Sequence, residues 1–125
     1  MTKRRNVPSE APWEELVGYS RAVRVGKHVA VAGTTASGDG AYAQAKAALQ
    51  KIGAALQEAG ASFEDVVRTR MFVTDITQWQ AIGRAHAEIF KDIKPAATMV
   101  EISQLIGKDL LVEIEVDAIL RNKPQ

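Results

Sequence analysis

The 125-residue sequence predicts an α+β fold: two helices on one face of a small mixed sheet, in the order β-β-α-β-α-β-β. Two patterns carry that prediction. Two stretches repeat apolar residues at helical spacing, and five shorter ones alternate or are rich in β-branched residues. With no internal repeat and no low-complexity linker, residues 1–125 read as one domain. A chain of this length buries roughly two-thirds of its unfolded surface.

After a polar start, residues 19–25 (YSRAVRV) and 28–32 (HVAVA) predict two strands joined by a tight turn at Gly26 and Lys27. Residues 33–40 (GTTASGDG) form a flexible loop. Residues 41–59 are the clearest helix: Ala45, Ala48, Leu49, Ile52, Ala55, Leu56 and Ala59 make one stripe, and Gly60 stops it. The alanines in that stripe permit close approach to a sheet. Residues 66–73 (VVRTRMFV) give the next strand. A second helix runs over residues 78–90, where Thr77 and Gln80 match the start of a capping box. Trp79, Ile82, His86, Ile89 and Phe90 form its inward stripe. Pro95 then blocks helix continuation. Residues 97–102 make a strand with small side chains at its mouth, and residues 110–120 make the last and longest one.

Composition excludes several functions. The chain is 46% hydrophobic and 25% charged, and 16 basic against 15 acidic residues leave a net charge of +1. Nucleic-acid binding draws on a basic footprint that this balance lacks. The cluster at Lys3, Arg4 and Arg5 reads as a solvated, frayed terminus. There is no cysteine, so thiol catalysis, disulfides and cysteine metal sites are excluded. Histidine occurs only at His28 and His86, without metal-ligand spacing, and no metal site is expected. No run approaches the roughly 18 apolar residues that span a bilayer, and no secretory leader is recognisable. No membrane partner is expected, and the expected compartment is the cytoplasm.

Sorting the strands by alternation exposes a second, unusual sheet face. In the last strand Val112, Ile114, Val116 and Ala118 oppose Glu113, Glu115 and Asp117. In the middle strand Val67, Thr69, Met71 and Val73 oppose Arg68, Arg70 and Phe72; in the next, Thr98, Val100 and Ile102 oppose Ala97, Met99 and Glu101. With the apolar rows under the helices, the other face collects Arg68, Arg70, Glu101, Glu113 and Glu115 beside Met99 and Phe72. Two readings stand. Arginines forking onto carboxylates among apolar groups suit a subunit interface; a wet face with weak cross-strand ion pairs would carry the same residues.

The candidate site residues each carry a bland alternative. His86 is either a hydrogen-bonded core residue or a titrating group at a cleft. Glu113 is either a partner for Arg68 or Arg70, or a partly desolvated carboxyl that orients water and holds a proton. Gly33 and Thr34, where a strand opens into a loop, expose backbone N–H groups to an anion or carbonyl, or simply suit the turn. Tyr19 is an interface aromatic or a cleft wall.

Together the motifs are specific. VVRTRMFVTDITQW, GTTA after an apolar strand, AHAEIF, KPAATMVEI and LVEIEVDAI strongly resemble the RidA family, also called YjgF, from about Tyr19 to Leu120. The resemblance implies a chorismate-mutase-like fold and a homotrimer whose sheets line a central barrel, with a ligand cleft at each subunit interface. Characterised members hydrolyse enamines and imines such as 2-aminoacrylate to 2-keto acids and ammonia, without a cofactor. The family's cleft tyrosine falls on Tyr19, its substrate-binding backbone N–H on Gly33, and its water-positioning acid on Glu113. The arginine that clamps the substrate carboxylate is missing: the strand reads Pro95-Ala96-Ala97, with Ala97 in its place. Met99 stands where a cysteine is common, and Gly83 where an asparagine is.

A methyl group cannot replace a guanidinium. Losing a charge-assisted bidentate bond costs on the order of 3 kcal/mol of transition-state binding. Activity on simple 2-imino acids is therefore expected to be weak or absent unless Arg70, Arg21 or Arg84 supplies a cation. The expected site comprises Glu113 and His86 as catalytic groups, with Tyr19, Gly33, Thr34, Arg70, Ala97 and Met99 around the ligand. Three functions follow: hydrolysis of an imine or related C–N substrate other than a simple 2-imino acid, deamination by a relocated cation, or ligand sensing or protein interaction without catalysis.

Overall fold

The last strand in sequence is central in space. In the computed structural model, which describes residues 3–121, β6 (Val112–Ile119) lies between β3 (His28–Thr34) and β4 (Val66–Val73) in a six-stranded sheet. Residues 1–2 and 122–125 of the expected domain lie outside the described residues. β2 (Ala22–Val25) and β1 (Arg4–Val7) extend the sheet beyond β3, and β5 (Ala96–Glu101) extends it beyond β4, giving the order β1-β2-β3-β6-β4-β5. Only the β4–β5 pair is parallel, and α3 (Trp79–Phe90) makes the crossover that such a pair requires.

The α+β prediction holds, with an added strand and short helix at the N-terminal end. The cluster at Lys3, Arg4 and Arg5 is expected to fray; instead Arg4 and Arg5 join Asn6 and Val7 in a strand that pairs antiparallel with Val25 to Ala22. Main-chain bonding defines this edge strand, because only Val7 is buried, and side-chain pattern had nothing to report. The short α1 (Glu14–Val17) ends on Gly18, whose positive φ is the left-handed conformation that glycine adopts at little steric cost.

One face of the sheet is dry. Val112, Ile114, Val116 and Ala118 of β6 are buried against Ala45, Ala48, Leu49, Ile52, Ala55 and Leu56 of α2 (Ala41–Glu58) and against Ile82, Ala85 and Phe90 of α3. Gly53 admits a neighbouring ring: a Cβ there would lie 2.7 Å from Cζ of Phe63, which packs edge-on to Phe90 at 5.5 Å. Buried Gln44 clasps two loops to α2. Its Nε2 donates to the carbonyls of Gly38 and Asp109, and its Oε1 accepts from the Leu111 N–H.

Four local expectations change. Trp79 is exposed rather than inward. The Thr77–Gln80 capping box does not form: Asp75 accepts from both the backbone N–H and hydroxyl of Thr77, capping a short 3₁₀ turn before α3. Val67 is exposed because the β4–β6 register slips between Val66 and Arg68. β5 faces the other way from its predicted sorting. Its pairing of Thr69 with Ala97, Met71 with Met99 and Val73 with Glu101 turns those three residues to the helix side. Thr98 and Val100 join Arg70 and Phe72 on the open face. β5 is an edge strand with only Met99 half-buried, so alternation along it carried little information about burial.

Candidate active site

Glu113 lies on a bare stretch of backbone. The β3–β6 register slips between Val31 and Thr34, and this irregularity sets Gly33 directly against the Glu113 side chain. A Cβ at Gly33 would fall 2.8 Å from the Glu113 carboxyl carbon. Glycine is thus needed here for close approach rather than for its φ. Burial raises the Glu113 pKa, with Glu115 adding repulsion and Arg21 opposing it. This half-buried carboxyl holds a proton more readily than an ordinary glutamate.

Arg21 places a cation beside Gly33. Its Nη1 donates to the Gly33 carbonyl at 3.2 Å and to Thr34 Oγ1 at 2.7 Å, and that hydroxyl donates to the Ala32 carbonyl. Thr34 is fully buried, so its part is to hold the guanidinium in place. Tyr19 stands nearby, its hydroxyl 3.3 Å from Ser9 Oγ, which also accepts from the Ala11 N–H. That contact fastens residues 8–13 as a strap beside the site.

Between the strap and α2 lies an open cavity of about 930 Å³. Tyr19, Arg21, Ala32, Gly33 and Glu113 line one part; Pro8, Pro12 and Trp13 of the strap, Lys51, Ala54 and Glu58 of α2, and Ile106 line others. Three of the expected residues therefore meet at one cavity: Tyr19, Gly33 and Glu113. Arg21 joins them. In the sequence it is one of three candidate substitute cations, and its spacing two residues from Tyr19 puts both on one side of an extended segment.

The remaining expected residues lie elsewhere in the chain. Arg70 pairs with Glu115 at 3.3 Å and Asp117 at 3.4 Å on the open sheet face, where partial exposure keeps such pairs weak. Arg84 stacks on the Tyr42 ring at 4.2 Å, and the Tyr42 hydroxyl donates to Glu88. Ala97 and Met99 are on β5, three strand spacings from β3, or about 14 Å. His86 is under the sheet, its Nε2 2.9 Å from buried Thr69 Oγ1 and its ring 4.6 Å from that of Phe90. Burial lowers its pKa. Thr69 pairs with Val116, so His86 and Glu113 occupy opposite faces of the sheet and one chain does not bring them together. Among the described residues, no group of three or more His, Cys, Asp and Glu side chains could hold a metal ion. None of their helices is long and apolar enough to cross a membrane.

The family model described as "Endoribonuclease L-PSP" matches residues 9–120. An uncharacterised protein of Streptomyces coelicolor is 40% identical over 121 residues, covering 91% of this chain and 90% of its own length. A RutC family protein of Pyrococcus abyssi is 36% identical over 109 residues, covering 80% of this chain and 84% of its own. Among solved structures, a member of the YjgF/YER057c/UK114 family from Mycobacterium tuberculosis superposes with a TM-score of 0.93 at 52% identity, covering 94% of this chain and 100% of that one.

Proposed function

The chain belongs to the endoribonuclease L-PSP family, known also as YjgF or RidA, and from that premise we propose that it is a cytoplasmic homotrimer that hydrolyses a C–N bond of imine or enamine type. A small metabolite is held in clefts between subunits, and the substrate is not a simple 2-imino acid. The observation that carries this reading is the Glu113 carboxyl, seated on Gly33 at the wall of a cavity, with its pKa raised by burial.

In the proposed reaction Glu113 takes a proton from water as the water oxygen attacks the imine carbon. The C=N π pair moves to nitrogen, which accepts a proton. Protonated Glu113 then delivers its proton to the amino group of the carbinolamine; ammonia leaves and the hydroxyl proton is lost as the carbonyl forms. One imine and one water give one carbonyl compound and one ammonia. A carboxyl whose pKa is raised from its ordinary value suits both halves of this exchange. The backbone at Gly33 and the Tyr19 hydroxyl orient the ligand.

Self-association is supported by the open sheet face. Val25, Val100 and Ile119 are all exposed there by register, interleaved with Arg70, Glu115 and Asp117. A second copy packed on this face would cover apolar surface and bring β5, with Ala97 and Met99, toward another chain's cavity.

Freshly generated 2-iminobutyrate tests the substrate claim. The wild type is expected to release little ammonia or keto acid from it, and Ala97→Arg to gain activity with the trimer intact by light scattering. Ordinary enzymatic turnover by the wild type would overturn the leading reading. It would favour a second, deamination by a relocated cation, which the position of Arg21 supports. Ligand binding without turnover across an imine panel would instead indicate a sensor, and strong salt-dependent RNA binding would overturn the judgement from charge.

A further inference from the structure

We infer that the ligand of the 930 Å³ cavity is a carboxylate carrying a bulky apolar substituent, its charged end at Arg21 and its apolar end against Trp13. This deepens the proposed cleft and rests on it. Arg21 is anchored by neutral oxygens only, the Gly33 carbonyl and the Thr34 hydroxyl, both through Nη1. No ion pair within 4.0 Å joins it to Glu113 or to any other carboxylate of the described residues, in contrast to Arg70 with its two. A guanidinium carries five donors in a rigid fork. Here one nitrogen fixes the group while the rest of the fork remains for an anion beside the Gly33 backbone.

The other charges around the cavity do not cancel this preference. Glu10 and Glu58 are exposed at its rim, where water screens them, whereas Arg21 is half-buried. Lys51, which donates to the Thr35 carbonyl, adds a second cation to the lining. Glu113 also lines the cavity, but no ion pair within 4.0 Å ties it to Arg21, and burial raises its pKa.

Size and surface supply the apolar half. Sites for drug-sized ligands run to about 300–1,000 Å³, so this cavity exceeds what a three- or four-carbon acid fills. Trp13 is 44% exposed and Ile106 78% exposed, both on the lining. A ring laid against the indole would cover surface that water now meets, and aromatic pairs gain beyond area alone.

Binding of pyruvate, benzoylformate and the neutral benzoylformamide, measured by calorimetry, tests both ends. For the wild type, benzoylformate is expected to bind at least tenfold more tightly than pyruvate and than the amide. Arg21→Gln should weaken both acids about tenfold and leave the amide unchanged, while Arg21→Lys keeps most of the affinity. Trp13→Ala should abolish the preference for benzoylformate without affecting pyruvate. Equal binding of acid and amide by the wild type overturns the charged end, and equal binding of the two acids overturns the apolar end; neither comparison depends on a variant that folds. If no probe binds, the inference falls, and imine hydrolysis by the same preparation then shows whether the proposed function survives without it.

Discussion

Glu113 on β6 and His86 on α3 are two half-buried ionisable groups, each pushed by burial toward its neutral form, yet of the two only Glu113 lines the cavity beside the strap. Glu113 rests on a residue without a side chain, near a cation, at an open cavity. His86 is enclosed by a neutral hydroxyl and an aromatic ring on the opposite face. The shifts share a cause and differ in consequence. Desolvation shifts each group toward its neutral form, but chemistry also needs room for the reacting atom.

The largest test of that contrast is Glu113→Gln. Turnover of the imine substrate is expected to fall about 10²–10⁴-fold, while the melting temperature at pH 7 rises. The sign follows from the raised pKa: stability from the carboxyl is fully present below its unfolded pKa and is lost as pH rises through the folded one. A neutral amide removes that loss, so the gain should vanish in acid. Full activity in this variant would remove Glu113 from the mechanism.

Gly33→Ala probes the same spot by shape. The methyl cannot coexist with the present carboxyl position, but the carboxyl is the far end of a flexible side chain and can swing aside. The stability cost should therefore stay below the roughly 1–3 kcal/mol of core overpacking, while misplacement of the acid costs about 10²-fold in rate. Denaturant melts and kinetics check the two figures; an unchanged rate would mean that the acid works from elsewhere. Thr69→Val addresses the other side of the comparison. It leaves a His86 nitrogen without its partner and should cost about 1–2 kcal/mol with activity retained. Loss of turnover in a folded Thr69→Val protein would bring His86 back into the site.

The smallest effect is the acid limb of stability. The depressed pKa of His86 contributes stability that is present above its unfolded value of 6.5 and lost as pH falls through the folded one. His86→Phe should flatten the change in melting temperature across that range. An identical slope would assign it to other groups.

The sequence disclosed what periodic burial writes into it. β4 has its predicted bounds and α2 nearly so, because each packs a complete stripe or row against the core. β1 and the facing of β5 were illegible for the opposite reason. Both are edge strands defined by main-chain pairing, and neither buries enough side chain to impose a pattern. Tyr19, Gly33 and Glu113 were found through resemblance and meet at one cavity, while the contribution of Arg21 needed the β3 irregularity and the buried Thr34 to become visible.

That β6 is central yet last among the described strands has a consequence for synthesis. While the ribosome is still reading residues 112–119, β3 and β4 each have an open edge and nothing to bridge them. β1, β2 and β3 pair with one another and β4 pairs with β5, but nothing joins these two groups before β6, whose pairing with β3 spans most of the chain. The nascent polypeptide must therefore keep two sticky edges apart until β6 emerges, and chains stopped short of β6 are expected to aggregate rather than accumulate as a smaller fold.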